Sequence, residues 1–332
     1  MKTAGLHAQW VKEEAARIGF HACGISRAEF LEEDAPRLER WLKAGMHGQM
    51  GYMERHFDMR LDPRKLVPGA KSVVSLLFNY HNPDPFIEED APRIAQYAYG
   101  EDYHFVLRDK LREFLACLQT RIGQIEGRIF VDSAPVLEKS WAARSGLGWV
   151  GKNTNLITRE QGSYFFLCEL ISDLELAPDG SMADYCGTCT RCIDACPTEA
   201  ITPYKVDGSR CISYLTIELR DQMPEWAKGQ WKNWVFGCDI CQEVCPWNRF
   251  SRRHSEERLM PHPDLPKLDR DAWIDMTREV FGDLFRRSAV KRAGYDRLMS
   301  AVRMVALGDT EDGTDVEASD KMAKTSPRAS PI

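Results

Sequence analysis

The 332-residue sequence predicts an α+β fold, in which an α/β domain is followed by a cysteine-rich domain and a short helical region. Three observations lead to this prediction. Strand and helix patterns alternate in the first half, eight of the eleven cysteines lie between Cys186 and Cys245, and apolar residues recur at helical spacing after Asp271. The predicted boundaries are 1–180, 181–250 and 251–307, followed by a polar tail at 308–332 that is predicted to be disordered.

Apolar patterns predict the elements of the α/β domain. After a short strand at 128–131, Ser133 is a predicted cap for a helix whose first turn contains Pro135. The glycines of the stretch 146–151 exclude a helix interior; they allow something flat or bulky to approach the backbone, or they form an ordinary flexible turn. The other predicted elements are an amphipathic helix at 1–20, a strand at 71–78, a helix at 102–124 and a strand at 164–170.

The charge balance argues against generic nucleic-acid binding, and the hydropathy argues against a membrane protein. A net charge of −6 argues against generic nucleic-acid binding through bulk charge, although it permits a local basic face. The sequence opens without a signal peptide, and no apolar run approaches the roughly 18 residues of a membrane span. We therefore expect a cytoplasmic protein with no membrane partner.

The cysteine spacing predicts two 4Fe–4S clusters. The first run has spacings of x2, x2 and x3 before Cys-Pro, as in bacterial ferredoxins, where the fourth cysteine reaches the other cluster. The second run lacks one cysteine, and Cys211 is the obvious supplier. The predicted ligands are Cys186, Cys189, Cys192 and Cys245 for one cluster and Cys196, Cys211, Cys238 and Cys241 for the other.

A pair of zinc sites is the alternative interpretation of these cysteines. Zinc sites usually contain two CxxC pairs separated by a longer spacer, whereas the first run here has three closely spaced cysteines followed by Cys-Pro. The spacing therefore favours iron–sulfur clusters. The cysteines outside the two runs, Cys23, Cys117 and Cys168, are predicted to be small buried apolar residues.

The presence of an α/β domain before the cysteines indicates that the clusters serve a second site in that domain. A ferredoxin needs no preceding domain of this size, so the clusters are expected to deliver electrons to a further cofactor bound there. Neither a GxGxxG motif after a strand nor a GxxxxGK[ST] motif is present, so the sequence gives no sign of a dinucleotide or P-loop site.

Several motifs, in one order along the chain, resemble the epoxyqueuosine reductase family. The resemblance extends from about residue 5 to residue 305. The motifs are Tyr99-Gly-Glu-Asp-Tyr-His104, Val131-Asp-Ser-Ala-Pro-Val-Leu-Glu-Lys139, Gly146-Leu-Gly-Trp-Val-Gly-Lys152, Thr154-Asn-Leu156, Gly162-Ser-Tyr-Phe-Phe166, Cys211-Ile-Ser-Tyr-Leu-Thr216 and Gly237-Cys-Asp-Ile-Cys-Gln-Glu-Val-Cys-Pro-Trp-Asn248.

The resemblance implies a monomeric cytoplasmic enzyme that reduces epoxyqueuosine to queuosine at the wobble position of tRNA. It implies cobalamin and two 4Fe–4S clusters as cofactors. It also implies a tRNA anticodon stem–loop and an external low-potential electron donor as partners. The implied architecture is a nitroreductase-like cobalamin domain, a ferredoxin-like domain and a HEAT-like helical region. This sequence departs from the family in that its helical region is short, which puts part of the usual tRNA contact in doubt.

The resemblance also implies roles for individual residues. Asp132 matches the catalytic proton donor beside cobalamin, and burial against the corrin is expected to raise its pKa. His104 is the alternative donor, or a histidine with a structural role. Arg60 matches a cobalamin contact and Arg220 a tRNA contact, and Gly237 would let its loop approach the corrin. The remaining predicted cobalamin contacts are Ser213 and the backbone of Cys238, Asp239, Ile240 and Cys241.

The stretch from Arg278 to Arg303 contains seven basic residues and three acidic ones. Together with Arg252 and Arg253 it is a predicted phosphate-binding face. The alternative is an ordinary solvated helix face.

Two alternative functions are also considered from the sequence. A reductive dehalogenase also combines cobalamin with paired clusters, but such enzymes normally carry a twin-arginine signal, which this sequence lacks. A non-catalytic electron-transfer protein would need neither cobalamin nor an acid at Asp132.

Overall fold

The computed structural model describes residues 2–83 and 90–306. The predicted disordered tail at 308–332 lies outside these residues. The fold is α+β, as predicted. In chain order, the elements of the first half are α1 (Lys2–Ile18), β1 (Ala22–Arg27), α2 (Ala35–Lys43), α3 (Phe57–Leu61), α4 (Pro63–Leu66), β2 (Ser72–Asn79), β3 (Arg93–Ile94), α5 (Tyr103–Ile122), β4 (Gly127–Phe130), α6 (Glu138–Arg144), β5 (Trp149–Val150), β6 (Leu156–Ile157) and β7 (Phe165–Ser172).

The second half consists of short elements joined by turns and single 3₁₀ turns. The helical stretch predicted after Asp271 is formed by three short helices, since turns interrupt the helical spacing. The elements are α7 (Arg191–Asp194), β8 (Ile201–Thr202), β9 (Lys205–Val206), α8 (Ile212–Ile217), β10 (Trp234–Phe236), α9 (Ile240–Glu243), α10 (Arg270–Ile274), α11 (Arg278–Leu284) and α12 (Tyr295–Ala306).

A four-stranded antiparallel sheet in the order β1-β2-β7-β4 is the centre of the first half. Alternate residues of the strands face opposite sides, so the sheet buries two apolar faces. One face, which includes Val74, Leu76 and Leu170, packs on α1 and α5. The other face, which includes Val73 and Ile171, packs on α6 and the segment around α2 to α4. The result is three layers with the sheet in the middle.

A second core joins segments that are distant in sequence. β10 pairs in parallel with β3, so residues 234–236 lie beside residues 93–94. Around this pair pack the apolar side chains of α8 and α10 to α12, including the fully buried Trp273 and Val302. The segment that leads into α5 is thereby held by the C-terminal helices.

One local prediction was wrong, and another can be made specific. Ser133 does not cap a helix: α6 begins only at Glu138, because Asp132 has a left-handed φ of 53° and a tight turn follows, in which the Val136 N–H donates to the Ala134 carbonyl. In the glycine-rich stretch, the approaching group is the chain's own backbone. A Cβ at Gly148 would lie 2.3 Å from the Ile157 carbonyl oxygen.

Within the described part of the chain, no helix has both the length and the apolar character needed to cross a bilayer.

Candidate active site

Two cavities divide the eight cysteines into the two predicted groups of four. The smaller cavity, of about 60 Å³, also contacts Tyr185 and Trp247, and the larger, of about 260 Å³, also contacts Tyr97 and Lys139. The smaller is lined by Cys186, Cys189, Cys192 and Cys245, and the larger by Cys196, Cys211, Cys238 and Cys241.

The short helices explain this crossed arrangement. α7 follows the first cysteines of one run, α9 lies within the other run, and the two helices pack against each other. The last cysteine of each run, Cys196 or Cys245, therefore lines the cavity formed by the other run. Four thiolate sulfurs around one cavity are the ligand set that a 4Fe–4S cluster requires.

Asp132 stands directly after β4, in a backbone conformation that few residues adopt. Its positive φ suits Asp, Asn and Gly, because other side chains clash with the backbone there. The Asp132 N–H donates to Glu138 Oε1 at 2.7 Å, which fixes the turn. Its side chain is 57% exposed.

His104, in the first turn of α5, lies between two carboxylates. Its Nδ1 is 2.7 Å from Asp102 Oδ1, and its Nε2 is 3.1 Å from Asp132 Oδ2. The ring is buried, with 3% of the side chain exposed. Arg292 contacts the far side of Asp102, with Nη2 to Oδ2 at 3.0 Å. These groups form a chain in the order Arg292, Asp102, His104 and Asp132, which we call the acid relay.

The acid relay shifts the pKa of each titrating member. Burial lowers the pKa of His104, but the hydrogen bonds and negative charges of Asp102 and Asp132 outweigh burial and leave the pKa above its ordinary value. Burial raises the pKa of Asp132, but the hydrogen bond and charge of His104, with the Tyr103 hydroxyl, outweigh it and leave the pKa lowered. The lowered pKa of Asp132 is opposite to the upward shift predicted for burial against the corrin. Between Asp132 and His104, the directions of the two pKa shifts favour His104 as the group that holds the proton.

Asp132 lies next to the larger cysteine cavity. Tyr97 and Lys139 line that cavity, and Asp132 is close enough to interact electrostatically with both. The Tyr97 and Tyr103 rings are in edge-to-face contact, with their centroids 6.1 Å apart. Tyr97 and Lys139 thus link the acid relay to one set of cysteines.

The predicted cobalamin contacts fall into two groups. Ser213 and residues 238–241 all line the larger cavity. Arg60 lies apart from them, buried in α3, where it donates from Nη2 to the Tyr52 carbonyl at 2.7 Å. Arg60 Nε is also buried, and it has no acceptor among the described residues. Tyr52 interacts electrostatically with both Asp132 and Arg60, which places Arg60 in the neighbourhood of the acid relay.

Gly237 permits a close approach within the chain itself. Its φ is 68°, and a Cβ there would lie 2.7 Å from the Cβ of Ala95. The glycine thus lets the cysteine loop approach the segment after β3, and its predicted approach to the corrin stays a prediction. Asp239 reinforces this contact, because its Oδ2 accepts the backbone N–H of Gln96 at 2.8 Å.

The basic residues of the C-terminal helices differ in whether they form ion pairs. Arg287 and Arg292 contact Glu101 and Asp102, at the start of the acid relay. Arg286 and Lys291 are exposed and form no ion pair within the described residues. In this region, the paired cations are held by carboxylates and the unpaired cations face solvent. Arg220 is exposed near Arg297, whereas Arg252 and Arg253 line a separate cleft.

Sequence reasoning missed three residues of this region. Glu138 lies within a motif that was noted only for its resemblance, and Asp102 was noted only as a helix start. Glu169 is a carboxylate in the middle of an otherwise apolar strand. A charged residue in a buried strand is unusual, and that signal was available from the sequence.

Comparison with known proteins supports one interpretation of this geometry. Residues 60–133 match the family model described as "Epoxyqueuosine reductase QueG, DUF1730", and residues 185–248 match the 4Fe–4S double cluster binding domain. An epoxyqueuosine reductase from Cyclobacterium marinum is 58% identical over 309 residues, which are 92% of this chain and 98% of that protein. The Escherichia coli epoxyqueuosine reductase is 39% identical over 91% of this chain and 80% of its own length.

Solved structures show the same similarity. A crystal structure of epoxyqueuosine reductase with a tRNA-Tyr epoxyqueuosine-modified stem loop superposes with a TM-score of 0.80 at 30% identity, covering 90% of this chain and 80% of that one. The Bacillus subtilis epoxyqueuosine reductase, solved with the loop of its catalytic aspartate swung out of the active site, also has a TM-score of 0.80, at 28% identity with the same coverage.

Proposed function

The chain belongs to the epoxyqueuosine reductase family, and we propose that it performs the last step of queuosine biosynthesis on tRNA with the acid relay as its proton source. The observation that carries the proposal is the contact of Asp132 with His104, within electrostatic range of Tyr97 and Lys139, which line the larger cysteine cavity. A reductive epoxide opening needs electrons and an acid at one place. The proximity of the acid relay to the larger cavity is consistent with that requirement.

The two rival functions are less consistent with these findings. Relatives that are 55% to 59% identical, over 89% to 92% of this chain, are epoxyqueuosine reductases. A plain electron-transfer protein would have no use for a buried histidine held between two carboxylates at the edge of a cluster cavity.

Cobalamin is the second cofactor in this proposal. The donor set supports it on one observation, since Arg60 Nε is buried without an acceptor among the described residues. Arg60, Ser213 and the 238–241 backbone would hold the corrin, in a nitroreductase-like domain followed by a HEAT-like helical region. When bound, cobalamin supplies the reduced cobalt that delivers electrons to the epoxide carbon.

The chain's own residues handle the proton. His104 holds it as the imidazolium, and Asp102 orients the ring through Nδ1. Asp132 accepts the proton from Nε2 and passes that proton to the epoxide oxygen as the C–O bond breaks, so no free alkoxide has to form. Arg292 keeps Asp102 ionised while the proton moves. The anticodon stem–loop would approach the exposed side of Asp132. An external low-potential donor would supply the electrons, and the enzyme would act as a monomer.

A single-turnover assay tests the proposal. The anaerobically reconstituted protein, loaded with cobalamin, should convert epoxyqueuosine in tRNA to queuosine. The Asp132→Asn variant should lose roughly 10²–10⁴-fold in rate, the usual scale for general acid catalysis. Asn tolerates the positive φ, so clusters and tRNA affinity should be retained. Near wild-type turnover in this variant would exclude Asp132 as the acid, and no turnover in the wild type would exclude the function.

A further inference from the structure

Behind the acid relay lies a carboxyl group with no partner among the described residues. Glu169, in the middle of β7, is 0% exposed, and neither of its side-chain oxygens has a hydrogen-bond partner there. Directly across on β2 is Ser75, whose hydroxyl is also buried and unpartnered. An ionised carboxylate without a cation or a donor is strongly disfavoured in such a place. Glu169 is therefore a neutral acid.

The packing of α6 puts Glu138 over this acid. Trp141, Ala142 and Ser145 are buried, and the spacing puts Glu138 on the same helical face, three, four and seven residues earlier. α6 packs on β1, β2 and β7, so it crosses the strands. Ser145 lies over Gly24 of β1, because a Cβ at Gly24 would be 2.4 Å from Ser145 Oγ.

The distance along the helix matches the distance across the sheet. Seven residues of helix extend about 10 Å, and two strand spacings in the order β1-β2-β7 extend about 9.6 Å. Glu138 therefore lies over β7. A second contact supports this position of Glu138. Glu138 accepts the N–H of Asp132, which lies two residues after Phe130, and Phe130 is the β4 residue that pairs with Glu169.

The charges around this pair favour neutral carboxyl groups. Burial, together with the negative charge of Asp132, raises the pKa of Glu138. Burial and the negative charges of Glu138 and Asp132 raise the pKa of Glu169. The other titratable groups facing Glu138 are Lys139, His104 and the Tyr103 hydroxyl, and Arg128 lies on the same sheet face as Glu169 with its guanidinium on the Leu66 carbonyl.

The stoichiometry of the proposed reaction calls for such a reserve. Reducing an epoxide to an alkene breaks two C–O bonds, forms one C=C bond and releases the oxygen as water. It consumes two electrons, from the external donor, and two protons. The acid relay holds one proton, on His104. A second proton source is therefore required at the same place.

We propose that Glu138 and Glu169 are a carboxyl pair that stores the second proton of the reaction. Glu138, which is partly exposed, releases the proton toward the departing oxygen. Glu169, sealed behind it, acts as a positioning residue: its O–H donates to the carboxylate that Glu138 becomes. Glu138 then recovers a proton from solvent. This inference rests on the proposed function.

Infrared difference spectroscopy tests the pair without cofactor or substrate. Protonated carboxyl groups absorb apart from carboxylates and shift in D₂O. The wild type at neutral pH should show a buried carboxylic acid signal that Glu169→Gln removes, and a second that disappears on raising the pH and is absent in Glu138→Gln. Glu33→Gln, at an exposed position, should leave both signals unchanged. Ionised Glu138 and Glu169 at neutral pH would overturn the proposal.

Single-turnover kinetics test the role. In the Glu138→Gln variant, the amide oxygen still accepts the Asp132 N–H, but the side chain has no proton to release. Alkene formation should therefore slow by roughly 10²–10⁴-fold. The fall in rate at alkaline pH that belongs to Glu138 should disappear, while circular dichroism and cluster content stay unchanged. Wild-type rates in Glu138→Gln would refute the proton store. If the wild type itself were inactive on this tRNA, the proposed function would fail instead, and the infrared result would still decide whether the pair exists.

Discussion

At the scale of single residues, the position of a proton depends on the sum of opposing effects. Asp132 was predicted from its motif, but its pKa was predicted in the wrong direction, since burial was considered without the neighbouring imidazolium. The contact between His104 and Asp132 joins residues 28 positions apart. No local pattern in the sequence reveals such a pairing, because it depends on how α5 packs against β4.

The raised pKa of His104 predicts a pH dependence. If the imidazolium is the acid, single-turnover rates should be highest below its pKa and fall as the pH rises through it, above the ordinary value of about 6.5. His104→Gln should remove that component and slow the reaction roughly 10²-fold or more. His7→Gln, on the surface of α1, should change neither. An unaltered profile in His104→Gln would show that the proton resides elsewhere.

At the scale of elements, the long periodic segments were predictable and the short ones were not. The predictions for α1, α5, β2 and β7 were correct to within about two residues, because their apolar patterns are long. The start of α6 was predicted too early, since one residue with a positive φ shifts the chain out of helical geometry. The grouping of the cysteines agreed with the spacing, because ferredoxin-type runs determine their own loop geometry.

The crossing of the two cysteine runs predicts the effect of a single substitution. Cys245 lines the smaller cavity, so Cys245→Ser should perturb the cluster of Cys186, Cys189 and Cys192 and spare its sequence neighbours. Electron paramagnetic resonance of the reduced protein separates the two clusters. Cys117→Ser, at a cysteine outside both cavities, should leave both signals intact. Damage confined to the cluster of Cys238 and Cys241 would refute the assignment.

At the scale of the whole molecule, tertiary packing decides which charges remain available. The sequence predicted one basic face, but Arg287 and Arg292 are engaged by acidic residues at the active-site edge. Those ion pairs join positions nearly 200 residues apart and could not be read from composition. The aligned part of the chain spans 98% of the Cyclobacterium relative and 80% of the Escherichia relative.

The exposed cations Arg286 and Lys291 are the ones expected to bind RNA phosphates. Replacing both with Ala should weaken binding of the anticodon stem–loop and reduce the slope of log K against log salt by roughly two, since each phosphate that is no longer neutralised keeps about one condensed counterion. The control is the double variant Arg17→Ala with Arg121→Ala. It removes the same amount of charge near the far end of α5, about 27 Å from Tyr103, and should leave the slope unchanged. Equal slopes in both double variants would mean that this surface faces away from the RNA.

The pairing of β10 with β3 also sets an order of events during synthesis on the ribosome. Residues 91–99 pack against side chains from residues 214–302, which emerge much later. Residues 91–99, which support His104, therefore cannot reach their final packing until the C-terminal helices have been synthesised. All eight cluster cysteines, the last of them Cys245, are translated before α12 completes this packing. The nascent protein thus has its full set of cluster ligands before it has a finished acid relay, and premature release before residue 302 should leave it able to acquire iron but unable to react.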